Sequence, residues 1–142
     1  MDRGEAQSKN VVVSVVVPAE AKSPRKARRA LRAIRDSFDP IAFVDLQWIV
    51  SELIIDAIHG DSKAQIGVQG ELHEDSVRVE MVADDESYRI RSQRPELGEP
   101  GWGFQLMRRL ASRWDLAREP AMARLWFELP LGLSTGRGSR ES

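Results

Sequence analysis

The stretch AFVDLQWIVSELIIDAIH, residues 42–59, says more about the fold than any other part of the chain. Its apolar residues recur at intervals of three and four, which predicts one long amphipathic helix. The apolar face consists of Leu46, Ile49, Val50, Leu53, Ile54, Ala57 and Ile58. A face this wide indicates a helix that is buried against another layer of structure.

Strands and further helices are predicted on both sides of this helix. Before it come a β-branched strand, Val11–Val17, and a helix over 24–37 with Ser23 as N-cap and Pro24 in its first turn. After it come the strands Ala64–Leu72 and Ser76–Ala83 joined by a turn at 73–75, a loop at 84–102, a helix over 103–113 and a last strand, Arg124–Leu129. The order predicts an α+β fold, with a mixed or antiparallel sheet and helices on one face.

Length and composition predict one domain and exclude several kinds of chemistry. The 142 residues are expected to form a domain over 11–130, with disordered ends at 1–10 and 131–142. Cysteine is absent, which excludes disulfides, thiolate catalysis and cysteine-bound zinc. The net charge of −1 indicates no global affinity for nucleic acid or membranes. We find no signal peptide or membrane span, so a cytoplasmic protein is expected.

A stripe of ionisable residues lies beside the apolar face of the central helix. Asp45, Glu52, Asp56 and His59 follow one another at helical spacing. Glu52 and Asp56 are four residues apart, so their carboxylates are neighbours that repel unless a cation or a proton separates them. The stripe is therefore a metal site, a catalytic base or a solvated acidic edge.

Two further segments indicate a ligand or merely a turn. Three glycines, Gly98, Gly101 and Gly103, precede a helix, where free backbone N–H groups favour a phosphate. The order of elements does not fit a Rossmann motif, and no Gly-Lys-Ser/Thr of a phosphate loop follows. Asp84 and Asp85 end a strand, and parity directs Asp85 toward the helices. An ordinary turn or loop start also explains each of these two segments.

In this order the segments resemble the histidine-kinase-like ATPases, and within them the anti-sigma-factor serine/threonine kinases. The resemblance covers residues 12–130. Ser51–Gly60 is similar to the family's S-E-L-x-x-N-A-x-x-H helix, Val77–Asp85 to the strand ending in D-x-G, Gly101–Phe104 to G-x-G-[LF], Leu125–Pro130 to the V-W-F-x-L-P strand, and Pro24–Arg35 to the Arg-rich first helix. The fold implied is a two-layer α/β sandwich.

The resemblance implies an ATP-binding protein kinase in bacterial transcription control. Glu52 matches the general base that activates a partner's serine, and Asp56 matches the ligand of Mg2+. Asp84 or Asp85 matches the adenine-binding aspartate. Gly98, Gly101, Gly103 and Phe104 belong to the phosphate site, with residues 86–100 as the ATP lid. The implied partners are a sigma factor and an anti-anti-sigma protein, and the implied assembly is a homodimer.

Departures from the family pattern keep a second hypothesis open. Asp56 replaces the asparagine, Glu86 or Ser87 replaces the glycine of D-x-G, and Ala123-Arg124 replaces a Gly-Thr pair. These changes favour a non-catalytic docking module with a degenerate nucleotide site.

The predicted first helix is strongly basic. It contains Lys22, Arg25, Lys26, Arg28, Arg29, Arg32 and Arg35. We expect a solvated face or a docking surface for an acidic protein rather than a nucleic-acid site.

Overall fold

The computed structural model describes residues 11–59, 65–84, 96–97, 99 and 101–132. In these ranges the elements are β1 (Val11–Val17), α1 (Ser23–Leu31), a 3₁₀ helix (Arg32–Ser37), α2 (Pro40–His59), β2 (Ile66–Leu72), β3 (Ser76–Asp84), α3 (Trp102–Leu110), β4 (Arg113–Glu119) and β5 (Met122–Pro130). The chain is therefore an α+β protein, as the order of patterns predicted.

The described strands form one five-stranded sheet in the order β1-β2-β3-β5-β4. Every neighbouring pair is antiparallel. The predicted hairpin between β2 and β3 is confirmed, and the N–H of His73 donates to the carbonyl of Ser76 at 2.8 Å to close its turn. β1 and β4 are the edges of the sheet.

The two faces of the sheet differ in chemistry because side chains alternate along each strand. On the inner face of β3, Val77, Val79, Met81 and Ala83 are buried, and β5 contributes Ala123, Leu125, Phe127 and Leu129. The outer face bears polar side chains. There Arg113 forms a bidentate pair with Glu128 at 3.0 and 2.9 Å, and Arg78 lies 3.9 Å above the ring of Trp126.

The helices cover the inner face of the sheet. Their buried residues belong to the same hydrophobic cluster as β3 and β5. From α2, Leu46, Ile49, Val50, Leu53, Ile54 and Ala57 are fully buried. The apolar face predicted for residues 42–59 is thus the centre of the core, which holds the polar edge of α2 in a defined position.

The first helix differs from its prediction at both ends. Lys22 occupies the N-cap position without a side-chain hydrogen bond, and Ser23, which we expected to be the cap, is buried and donates its hydroxyl to the carbonyl of Pro18. The α-helix ends at Leu31 and continues as a 3₁₀ helix through Ser37. Ile34 in the 3₁₀ helix and Phe38 directly after it are both buried in the core.

The last third of the chain contains a strand that the sequence did not predict. α3 ends at Leu110, not at 113, and Arg113–Glu119 forms β4. β4 is an exposed edge strand held by backbone pairing with β5, so it has no alternating burial pattern to detect. Residues 120–121 join β4 to β5, and Ala121 there has a φ of 66°.

The folded part of the chain extends past the boundary predicted at 130. Leu131 is buried, its N–H donates to Asp75, and its carbonyl accepts from Asp39, both at 2.9 Å. Leu131 therefore belongs to the domain and not to the tail. The predictions for residues 1–10 and 133–142 lie outside the described residues.

Candidate functional site

Asp56 is a buried carboxylate that joins α2 to the beginning of α3. Its side chain is only 5% exposed. Oδ1 accepts a hydrogen bond from the backbone N–H of Gly101 at 3.0 Å, and Oδ2 accepts one from Phe104 at 2.9 Å. Both N–H groups belong to the first turn of α3, where no helical carbonyl is within reach. Asp56 therefore caps α3 from a neighbouring helix.

The residue at the N-cap position of α3 explains why an outside cap is needed. Gly101 has no side chain, and its φ of 95° lies in the left-handed region that glycine tolerates. An ordinary helix would receive its cap from the N-cap side chain itself. Asp56 supplies that acceptor with a negative charge, which the positive end of the helix dipole favours.

Gly103 allows α3 to approach α2 closely. A Cβ atom at this position would lie 2.5 Å from the backbone carbon and oxygen of Glu52 and 2.8 Å from the nitrogen of Leu53. Any larger residue would push the two helices apart. The two glycines of the Gly-x-Gly segment thus have defined structural roles, one in the cap and one in the helix contact.

Burial determines the protonation of Asp56. It raises the pKa of this carboxyl from its ordinary value to about 6, and the N–H groups of Phe104, Gly101 and Gly103 offset part of the effect. The nearby charge of Glu52 raises the pKa further. At neutral pH the cap is therefore mainly ionised, which suits the helix terminus it faces.

Glu52 lies one helical turn before Asp56 and is half-buried. Burial raises its pKa, while the charge of His59 and a hydrogen bond from the side chain of Trp48 act in the opposite direction. A partly exposed carboxylate of this kind has the chemistry of a general base. The structure thus brings Glu52 and Asp56 together, as the four-residue spacing predicted.

Two indole rings lie next to these carboxylates. The rings of Trp48 and Trp102 are 6.4 Å apart and tilted by 51°. The Nε1–H of Trp102 is buried and has no hydrogen-bond acceptor in the part of the chain that the structure describes. Phe104, predicted to line the phosphate site, is a core residue that packs edge-to-face on Trp114 with ring centres 5.2 Å apart.

Asp84 does not join this site. Alternation along β3 puts it on the outer face with Arg78 and Glu80, whereas the helices cover the inner face. Asp85, Gly98 and most of the predicted lid lie outside the described residues.

A polar cluster that the sequence did not predict joins α1 to α2. The guanidinium of Arg28 donates to the hydroxyl of Ser51 at 3.0 Å, and that hydroxyl donates to the carbonyl of Gln47 at 2.8 Å. The amide of Gln47 donates in turn to the carbonyl of Arg28 at 3.4 Å. Ser51 therefore has a structural role, because it links α2 to Arg28 of the basic helix. In the sequence, Ser51 was notable only as the first residue of the segment that resembles the family motif.

The described residues do not fit a magnesium ion held by Asp56. Both carboxylate oxygens already accept N–H groups, and Mg2+ keeps several waters that a side chain 5% exposed leaves no room for. Among the described residues no group of three or more His, Asp or Glu side chains could hold a metal ion. The solvated acidic edge considered above is also wrong for Asp56, which is buried.

The chain was compared with protein-family models and with curated proteins. No protein-family model and no curated protein matches this chain. Across the described residues, none of the helices has both the length and the apolar character needed to cross a membrane.

Proposed function

We propose that this chain is an anti-sigma-factor-like regulatory protein that acts by docking other proteins, with a degenerate nucleotide site. The observation that carries the proposal is the Asp56 cap. Nucleotide phosphates bind at helix N-termini through free backbone N–H groups. At the start of α3 two of those groups are already occupied by a carboxylate from the same chain. A triphosphate there would have to displace Asp56 and would meet its negative charge.

The fold supports the family part of the proposal. An antiparallel sheet whose inner face is covered by helices agrees with the two-layer sandwich of the histidine-kinase-like ATPases. The resembling segments also come together, because Glu52, Asp56, Gly101 and Gly103 meet where α2 contacts α3. The sigma factor, the anti-anti-sigma protein, the homodimer and the bacterial cytoplasm stay predictions from the resemblance.

A second candidate function, an ATP-dependent serine/threonine kinase, is favoured by Glu52. This carboxylate is half-buried, has a raised pKa and lies one turn from Asp56. Those are the properties of a general base that would take the proton of a partner's serine hydroxyl. In this hypothesis Asp56 releases α3 when nucleotide binds.

Titration calorimetry with Mg-ATP and Mg-ADP separates the two functions. We expect no binding to the wild-type protein at millimolar nucleotide. The variant Asp56→Asn removes the charge and restores the asparagine of the resembling motif. It therefore tests whether the charge of Asp56 is what opposes nucleotide binding. Micromolar binding by the wild type would contradict the docking proposal and support the kinase, and Glu52→Gln should then abolish phosphate transfer without changing partner binding.

The docking function itself is tested with purified partners. Sigma factors and anti-anti-sigma proteins encoded in the same genome should be titrated against the protein without nucleotide. Binding of at least one of them is expected. If none binds, with or without Mg-ATP, the proposed function is wrong.

A further inference from the structure

A groove lies between the 3₁₀ helix and the beginning of α2. It has a volume of about 550 Å³. Its apolar wall includes Phe38, Phe43 and Val44, and its rim includes Arg32 and Arg35. These five residues lie between the end of α1 and the first turns of α2, and we call them the α1–α2 groove. Volumes of this size accommodate a few large side chains.

An exposed apolar stripe continues the groove along α2. Ile41, Val44 and Trp48 are 74%, 59% and 41% exposed, and their spacing puts them on one face of the helix. Val44 belongs to both the groove and the stripe. Single exposed apolar residues are ordinary, but a row of them beside an apolar cavity is typical of a protein-binding surface.

The charge of the surroundings selects the partner. Between Lys22 and Gln47 the chain has seven basic residues and three acidic ones, Asp36, Asp39 and Asp45. Asp36 lines the groove as well. Arg32 and Arg35 are exposed and form no ion pair within the described ranges, in contrast to Arg28, which is bonded to Ser51. The segment that forms the groove therefore has an excess of positive charge, and Arg32 and Arg35 are available to pair with carboxylates.

We infer that the α1–α2 groove and its stripe bind an amphipathic helix of a partner protein whose apolar side is flanked by Asp and Glu. An apolar helix face fits the row Ile41, Val44 and Trp48, and its largest side chain enters the groove. Flanking carboxylates then reach Arg32 and Arg35, whose planar guanidinium groups suit carboxylates. This inference deepens the proposed docking function and rests on it.

A labelled model helix tests the inference directly. The probe is a fluorescein-labelled peptide of about 16 residues, about four turns, with leucines at helical spacing flanked by glutamates. A matched peptide has lysines in place of the glutamates. Fluorescence anisotropy should show binding of the glutamate peptide and at least about tenfold weaker binding of the lysine peptide, as expected when interfacial charges oppose each other.

Variants of exposed residues locate the site without disturbing the core. Val44→Asp should weaken binding of the glutamate peptide at least about tenfold. The double variant Arg32→Glu, Arg35→Glu should reverse the preference in favour of the lysine peptide. Leu110→Asp and Arg109→Glu make the same kinds of change on α3, where both residues are exposed, and should leave binding unchanged. Thermal unfolding checks that all variants remain folded.

Three results with the peptides would overturn the inference. These are no binding of the glutamate peptide at millimolar concentration, equal binding of both peptides, and binding that Val44→Asp does not weaken. If Val44→Asp converts a dimer into a monomer in gel filtration, the groove holds a second copy and the assignment to a partner helix is wrong. If the protein binds a sigma factor or an anti-anti-sigma protein but not the glutamate peptide, the groove assignment is wrong and the docking function stands. If the protein binds nucleotide and also binds the peptide, the groove assignment stands and the docking-only function is wrong.

Discussion

Replacing Gly103 by alanine tests the helix contact on which the candidate site depends. The new Cβ would lie 2.5 Å from the backbone carbon and oxygen of Glu52, against an ordinary contact distance of 3.4 to 4 Å. Backbone atoms cannot rotate away as a side chain can, so α3 must move by about 1 Å. That movement also stretches the hydrogen bonds from Gly101 and Phe104 to Asp56.

The expected loss of stability follows from two opposing effects. Overpacking of this kind costs about 3 kcal/mol. Alanine is better than glycine in a helix by about 1 kcal/mol. We therefore expect Gly103→Ala to lower the free energy of unfolding by about 2 kcal/mol. In urea, this corresponds to a midpoint roughly 1 M lower.

The assay is urea unfolding followed by tryptophan fluorescence and circular dichroism. The matched control is Gly67→Ala in β2, where an added Cβ meets no atom within 4 Å. This control should be neutral or slightly stabilising, by up to about 1 kcal/mol. If Gly103→Ala is as stable as the wild type, or gains the helix-propensity difference, the close contact between α2 and α3 is refuted.

Two further changes probe the cap and the β4–β5 turn. Because burial raises the pKa of Asp56 to about 6, above its ordinary value, this group stabilises the fold at low pH and loses that contribution as the pH rises toward 6 and beyond. The wild type should therefore lose up to about 3 kcal/mol relative to Asp56→Asn between pH 4 and pH 7, measured by urea unfolding at each pH. A difference that stays constant with pH would contradict the raised pKa and show that the N–H bonds fully offset burial. Ala121→Gly should stabilise the protein by about 0.5–1 kcal/mol, since the φ of 66° strains an alanine; a lower melting temperature in calorimetry would contradict this.

Local pattern was sufficient for most of the helices and strands. Residues 42–59 have a period that only a helix can bury on one side, and α2 spans Pro40–His59. Residues 76–83 alternate with the period of a strand, and β3 spans Ser76–Asp84. Both periods can be detected locally, because the burial of each residue repeats that of residues only a few positions away in the sequence.

The candidate site was only partly predictable. The four-residue spacing of Glu52 and Asp56 put their carboxylates together in advance, since the helix itself fixes that distance. Gly101 and Gly103 were recognised as unusual positions, but the sequence favoured a phosphate or a simple turn. The structure instead assigns them to a cap and to a helix contact within the chain.

The sequence by itself determined the α+β class, the central helix, the β2–β3 hairpin and the neighbouring carboxylates, because helix and strand periods are properties of short segments. Only the tertiary structure decided that Asp56 meets Gly101 and Phe104, which lie 45 and 48 positions further along the chain. It also decided that β4 exists, since an exposed edge strand is specified by its partner β5 and not by its own pattern. Contacts between distant segments depend on the geometry of the whole core, and no local period encodes them.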